Sequence, residues 1–183
     1  MKPIWFANHV SLQVIDEISS KEVLDFVIRN KDFLKPWEVE RNADYYSIAY
    51  HESLLHDEYR KMQEGSLFKV WLFKDEAIIG SIALSNIVRG AFQSCHLGYR
   101  LDERELGKGI MTEALRVVIK YAFQELQLHR IEANIMPRNK ASIGVVEKLG
   151  FEHEGIARKY LKINGAWEDH IHMVLLNEEM HRL

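Results

Sequence analysis

Apolar and polar residues alternate along HVSLQVI (9–15), with Val10, Leu12 and Val14 on one side. That period of two predicts a strand. The period then changes. SSKEVLDFVIRN (19–30) opens on serines and spaces Val23, Leu24, Val27 and Ile28 as a helix does. LKPWEVERN (34–42), broken by Pro36, predicts a loop. From Asp44, the positions Tyr45, Ile48, Leu55, Tyr59 and Met62 predict a second helix ending near Gly65.

Three strand patterns follow in succession. FKVWLF (68–73) joins AIIGSIALSNI (77–87) through the polar turn KDE, and SCHLGYRL (94–101) comes third, a meander. IMTEALRVVIKYAFQEL (110–126) is amphipathic and helical. RIEANI (130–135) reads as a strand stopped by Pro137, and KASIGVVEKLG (140–150) as a helix closed by Gly150. EGIARKYLKI (154–163) and AWEDHIHMVLL (166–176) flank Asn164-Gly165, a dipeptide that suits a two-residue hairpin turn because both positions need positive φ. The order β-α-α-β-β-β-α-β-α-β-β predicts an α/β (α+β) fold, a mixed sheet with helices on its faces.

Composition narrows the class. A chain of 183 residues, 47% apolar and 28% charged, suits one globular domain over 1–183, without repeats or a linker. A net charge of −3 supplies no long-range attraction to nucleic acid or an anionic membrane. Cys95 is the single cysteine, so an intramolecular disulfide is excluded and a reducing compartment is expected. No stretch has the apolar length of a membrane span, and MKPIWFANHV lacks a signal-peptide core, so the expected location is cytoplasmic, with no membrane partner.

RELGKG (104–109) sits between the third meander strand and the longest helix. The first N–H groups of a helix lack internal partners, and its dipole is positive there. Gly107 and Gly109 let the backbone come close to a diphosphate, and Lys108 adds charge. The same stretch also reads as an ordinary strand-to-helix turn. A P-loop is excluded because Gly109 stands where Ser or Thr should follow Lys108, and the spacing is not that of a Rossmann fingerprint.

Taken with NKASIGVVEKLGFEHEG (139–155), this stretch resembles the GNAT superfamily of acetyl-CoA-dependent N-acetyltransferases. The first motif is similar to their Q/R-x-x-G-x-G/A pyrophosphate loop, the second to their N-x-x-S…E-K-L-G-F segment. LGYRLDERELGKGIMTEAL (97–115) and LKPW (34–37) resemble the RimJ/RimL-type branch, which acetylates ribosomal-protein N-termini. The resemblance spans Val10 to Leu176. It implies a twisted, mostly antiparallel sheet with helices on both faces and one splayed parallel pair, SCHLGYRL beside RIEANI. Gly98 is then expected at a bulge that opens the splay.

By the same resemblance, backbone groups of Leu97 and Tyr99 pair with the pantetheine arm like an added strand. Arg104, Leu106, Gly107, Lys108, Gly109 and Ile110 surround the pyrophosphate, and Asn139 contacts the cofactor. Asn139 also reads as a helix cap, and its side chain can do both. Acetyl-CoA is the implied cosubstrate, with no metal.

Many family members place a tyrosine four residues before the Gly-Phe pair; Val146 stands there, and in the RimJ/RimL branch a serine at the position of Ser142 takes that acid role. Ser142 equally reads as a solvated helix serine. His96 occupies the position of a family glutamate that acts as base, and equally reads as a strand histidine bonded to a neighbour. Cys95 reads as a small core residue. Trp37 and Glu38, with Glu40, Glu168 and Asp169, are the candidates at the acceptor site. The family's acidic base before the hairpin falls near Leu161 and does not transfer.

The leading expectation is acetyl transfer to the N-terminal α-amine of a ribosomal or other cytosolic protein. An α-amine, with a pKa of about 7.7–8.0, deprotonates more easily than lysine at about 10.4. The alternatives are acetylation of a small amine of polyamine or aminoglycoside type, a catalytically silent acyl-CoA-binding module, and an RNA-directed transferase, which the net negative charge disfavours. The edge strands of the C-terminal hairpin leave room for a homodimer.

Overall fold

The computed structural model describes residues 2–7 and 9–178. Eight strands form one sheet: β1 (Ile4–Ala7), β2 (Val10–Gln13), β3 (Phe68–Lys74), β4 (Ala77–Val88), β5 (Ser94–Leu101), β6 (Arg130–Ile135), β7 (Glu152–Ile163) and β8 (Ala166–Leu176). Their order is β1-β2-β3-β4-β5-β6-β8-β7. Every neighbouring pair is antiparallel except β5 and β6. The helices are α1 (Ser20–Arg29), α2 (Lys31–Leu34), α3 (Ile48–Gln63), α4 (Ile110–Gln124) and α5 (Lys140–Glu147). No described helix is long and apolar enough to cross a membrane.

Each face of the sheet carries a core. On one, Ala114, Leu115 and Val118 of α4 and Val146 of α5 pack on Val70, Leu84, Cys95 and Ile131. On the other, Val23, Phe26 and Val27 of α1 and Leu55 of α3 pack on Trp71 and Ile78. Phe26 meets Trp71 edge to face at 6.3 Å. The strand alternation explains the division: Val70 and Leu72 point one way and Trp71 the other.

Four local expectations change. Strand β1 escapes a period-two reading because Trp5 is apolar yet exposed on an edge strand, while Ile4 and Phe6 pack inward. The α1 stripe buries Val23, Phe26 and Val27 and leaves Ile28 exposed, because Phe26 is drawn to Trp71. The helix expected from Asp44 is interrupted: Asn42 caps a 3-10 turn over Ala43–Tyr46, and Ser47 turns extended and caps α3 through Tyr50 N–H. Gly98 is not a bulge; it pairs in regular register with Ala83, and the shift in the β4–β5 ladder falls between Ser85 and Val88, where Asn86 takes φ 50°. The Asn164-Gly165 turn does have positive φ at both residues, 44° and 83°, and closes Ile163 onto Ala166.

Candidate active site

The parallel pair is brief. Strands β5 and β6 register only at Ser94–Arg130, Cys95–Ile131 and His96–Glu132. Beyond His96, β5 continues to Leu101 on β4 alone, and β6 continues to Ile135 on β8. Leu97 and Tyr99 thus lie where the β6-facing backbone edge of β5 has lost its strand partner. A polar chain with alternating donors and acceptors fits that gap.

At the far end of β5 the chain enters RELGKG. Gly107 and Gly109 have φ of 71° and 76°, conformations that a side chain disfavours, and a Cβ on either would meet nothing within 4 Å. Gly109 precedes α4 with no side-chain cap, so the first amides of that helix, beginning at Ile110, are uncovered. These features fit a diphosphate. Arg104 and Leu106 are exposed beside it. Lys108 Nζ lies 3.1 Å from Glu105, which also holds Lys74 at 2.9 Å.

The loop is anchored by residues that sequence patterning did not single out. Asp102 is buried, and its carboxylate accepts from Arg29 Nε at 2.7 Å, from Asn30 Nδ2 at 3.3 Å and from Arg104 N–H at 3.0 Å. Asn30 Oδ1 accepts from Glu103 N–H. Burial alone would raise the Asp102 carboxyl; the bonds from Arg104 N–H, Arg29 and Asn30 outweigh it and hold it below the ordinary value. The only sequence signal was an Asp at a strand end before a turn, too common to read.

On the α5 side, Asn139 caps the helix, its Oδ1 accepting from Ser142 N–H at 3.1 Å. Its amide nitrogen remains available as a donor. Tyr99, mostly buried, lays its hydroxyl 2.6 Å from Ser142 Oγ and 2.9 Å from the Ser142 carbonyl oxygen. Burial pushes this phenol up to about 12. Cys95 is buried and its thiol is likewise raised to about 12, so it carries no reactive thiolate.

His96, Gly98 and Arg100 alternate onto the other face, opposite Ser85, Ala83 and Ser81 of β4. His96 Nδ1 is 3.2 Å from Asn86 Nδ2, and its Nε2 is 3.7 Å from Glu132 Oε1. Because an amide nitrogen only donates, Nδ1 is the acceptor there and the hydrogen sits on Nε2, toward Glu132. Glu132 also takes hydrogen bonds from Arg130, Asn134 and His172. Burial raises its carboxyl, but those three bonds together hold it low, so it stays ionised. Glu132 is a second residue that patterning missed; in RIEANI it looks like any outward-facing strand residue.

A cleft of about 390 Å³ opens on this face, floored by Ser81, Ala83 and Gly98 and walled by Trp37, Glu38 and Arg100. Of the five acceptor candidates, Trp37 and Glu38 line this cavity with β5, and Glu40, Glu168 and Asp169 do not. Arg138 stacks on Trp37 at 5.2 Å and pairs with Glu168 at 2.9 Å. Asn164 N–H donates to the Glu38 carbonyl, tying the hairpin tip to this wall. Glu168 is thereby committed to Arg138, and Asp169 caps Lys159 N–H. Leu161 is exposed on the edge strand β7. Among the described residues no group of His, Cys, Asp or Glu could hold a metal ion.

A sheet split at one parallel pair, with a diphosphate-fitting loop at its end and an open cleft across it, is the frame of a CoA-dependent acyltransferase. Residues 16–152 match the acetyltransferase (GNAT) domain family, and the chain belongs to it. It is an N-acetyltransferase with acetyl-CoA as donor. It is 39% identical over 168 residues to the [ribosomal protein uS5]-alanine N-acetyltransferase of Escherichia coli, covering 90% of this chain and 86% of that one. The crystal structure of ribosomal-protein-S5-alanine acetyltransferase from Vibrio fischeri superposes with a TM-score of 0.93 at 35% identity, covering 97% of both chains. Mycobacterium smegmatis RimJ in complex with CoA-disulfide superposes at 0.88 with 28% identity, covering 93% of this chain and 83% of that one.

Proposed function

We propose that the chain acetylates the α-amine of a protein N-terminus, with a ribosomal protein beginning in alanine as the first acceptor to try. The charge pairing of the acceptor cleft carries this reading. Its two lining carboxylates are both spent: Glu38 lies 3.3 Å from Arg100 and 3.6 Å from Arg41, and Glu58 lies 2.5 Å from Lys69. A polyamine brings several positive charges and calls for unpaired carboxylates. A peptide end brings one amine and a chain of amides, which suits paired charges beside Trp37. The similarity to the uS5-alanine enzyme of E. coli supports the same choice.

When bound, acetyl-CoA supplies an activated thioester. Backbone groups of Leu97 and Tyr99 take its pantetheine arm, and the amides of residues 106–110, with Arg104 and Lys108, take its diphosphate. The Asn139 amide nitrogen donates to the same ligand. Ser142 hydrogen-bonds the departing sulfur. His96 accepts the amine proton, which requires Asn86 to release Nδ1. Glu132, ionised below the ring, favours the imidazolium that results.

The test offers the purified protein acetyl-CoA with a peptide bearing a free N-terminal alanine, or with spermidine, and reads the products by mass spectrometry. The expected product is the α-acetylated peptide. Acetylspermidine without acetylated peptide would overturn the reading, and CoA binding without either product would make this a silent acyl-CoA module.

A further inference from the structure

Helix α5 has Val146 where many relatives carry a tyrosine, yet a tyrosine hydroxyl reaches this helix from across the splay. Tyr99 belongs to the β5 arm, and Ser142 belongs to the helix that follows the β6 arm. The phenol oxygen is within hydrogen-bond distance of both Ser142 Oγ, at 2.6 Å, and the Ser142 carbonyl, at 2.9 Å. A hydroxyl has one hydrogen, so two arrangements exist. In one, Tyr99 donates to the carbonyl and the Ser142 hydroxyl donates back to Tyr99. In the other, Tyr99 donates to Oγ, and the Ser142 hydrogen is released from the pair.

We infer that Tyr99 is the positioning residue for Ser142: by donating to Oγ it turns the serine hydrogen into the splay, toward the sulfur of the leaving CoA. The inference rests on Ser142 being the partner of that sulfur, as proposed above. The reaction makes an N–C bond to the acetyl carbon and breaks the C–S bond, whose electron pair stays on sulfur. The surplus proton of the amine leaves on the opposite face, at His96. Growing charge on sulfur draws the Ser142 hydrogen toward it, and so selects the second arrangement.

Tyr99 does not itself supply a proton. Its hydroxyl sits at about 12, whereas an ordinary thiol is near 8.5, so transfer to the thiolate would run uphill. The tyrosine keeps its hydrogen and polarises the serine. Its ring is held against the core beneath α4, which fixes the direction from which the hydroxyl approaches. A serine alone at the third position of a helix would instead be free to rotate toward backbone carbonyls.

The experiment titrates the thiol of bound CoA, by its thiolate ultraviolet absorbance, in the full-length wild type, Tyr99→Phe, Ser142→Ala and the double variant. Phenylalanine keeps the ring and its packing. In the wild type the bound thiol should ionise about one pH unit below free CoA. Each single substitution should abolish most of that shift, and the double variant should do no more than Ser142→Ala. Turnover with the alanine peptide should fall about tenfold in Tyr99→Phe while KM for acetyl-CoA stays within about twofold. A thiol that ionises normally in Ser142→Ala but stays shifted in Tyr99→Phe overturns the role of Tyr99 and leaves that of Ser142. Weaker CoA binding in Tyr99→Phe without a change in thiol ionisation makes the tyrosine a strut and also overturns it. If neither substitution moves the thiol, the Ser142 assignment falls and takes this inference with it.

Discussion

Arg29, at the end of α1, reaches Asp102, at the start of the glycine loop, with 2.7 Å between Nε and Oδ2. A second guanidinium nitrogen of Arg29 donates to the Ile78 carbonyl at 2.8 Å. The first helix thus fixes the loop proposed to face the cofactor, although α1 carries no residue assigned to the ligand.

Asp102→Ala should cost on the order of 3 kcal/mol, measured by urea unfolding. The figure sits at the lower end for buried pairs because Arg29 keeps 26% of its side chain exposed and can recover water. The pH dependence follows in sign. The folded carboxyl is depressed, so its stabilisation is complete above the ordinary carboxylate value of about 3.9 and is lost as pH falls through the lower folded value. The stability gap between wild type and Asp102→Asn should therefore narrow as the pH is taken below about 4. A gap independent of pH would contradict the assignment.

Two glycines on neighbouring strands should respond oppositely. A Cβ on Gly80 would stand 2.5 Å from the Arg100 carbonyl oxygen, so Gly80→Ala must push β4 and β5 apart. A loss of about 3 kcal/mol in thermal or urea unfolding is expected. A Cβ on Gly98 meets nothing within 4 Å. Gly98→Ala should be neutral or stabilise by about 0.5 kcal/mol, since alanine loses less backbone entropy than glycine in a strand. Its cost should appear in the acceptor KM, because Gly98 floors the cleft.

Gly107→Trp should fold and lose acetyl-CoA affinity by at least about tenfold, read by calorimetry. The site of the added side chain is open, so the damage falls on the ligand's space, apart from about 1–2 kcal/mol for a side chain at φ 71°. Undiminished affinity would remove RELGKG from the cofactor site.

His96→Ala should lower turnover about 100-fold and change the shape of the pH–rate profile. Asn86→Ala should raise turnover or leave it unchanged, because it frees Nδ1 without touching Glu132. Equal losses in both variants would mean that the Asn86–His96 bond serves the fold and not the chemistry.

The periodic elements were legible in the sequence, from the β3–β5 meander to the Asn164-Gly165 hairpin, because a single buried face or an obligatory positive φ dictates each. Strand β1 was not, since Trp5 points outward. The positive-φ turn at Gly107 and Gly109 and the Asn139 helix cap were legible because each is local and conformationally restrictive. The Asp102 anchor, the Glu132 hub and the Tyr99–Ser142 contact were not. Each depends on a partner distant in sequence, Arg29 for Asp102, His172 for Glu132 and Ser142 for Tyr99, and neither partner is unusual where it stands.

The two halves of the site differ in how the chain builds them. The side proposed for CoA draws its named residues from one run, 97–142, braced by Arg29. The acceptor wall joins Glu38 to Asn164, and Trp37 to Glu168 through Arg138. It closes only when the last hairpin has returned to the first third of the chain, a contact of high sequence separation that forms late. Asn164 and Glu168 are made after residues 97–142, so the wall opposite β5 is the part of the site whose residues the chain supplies last.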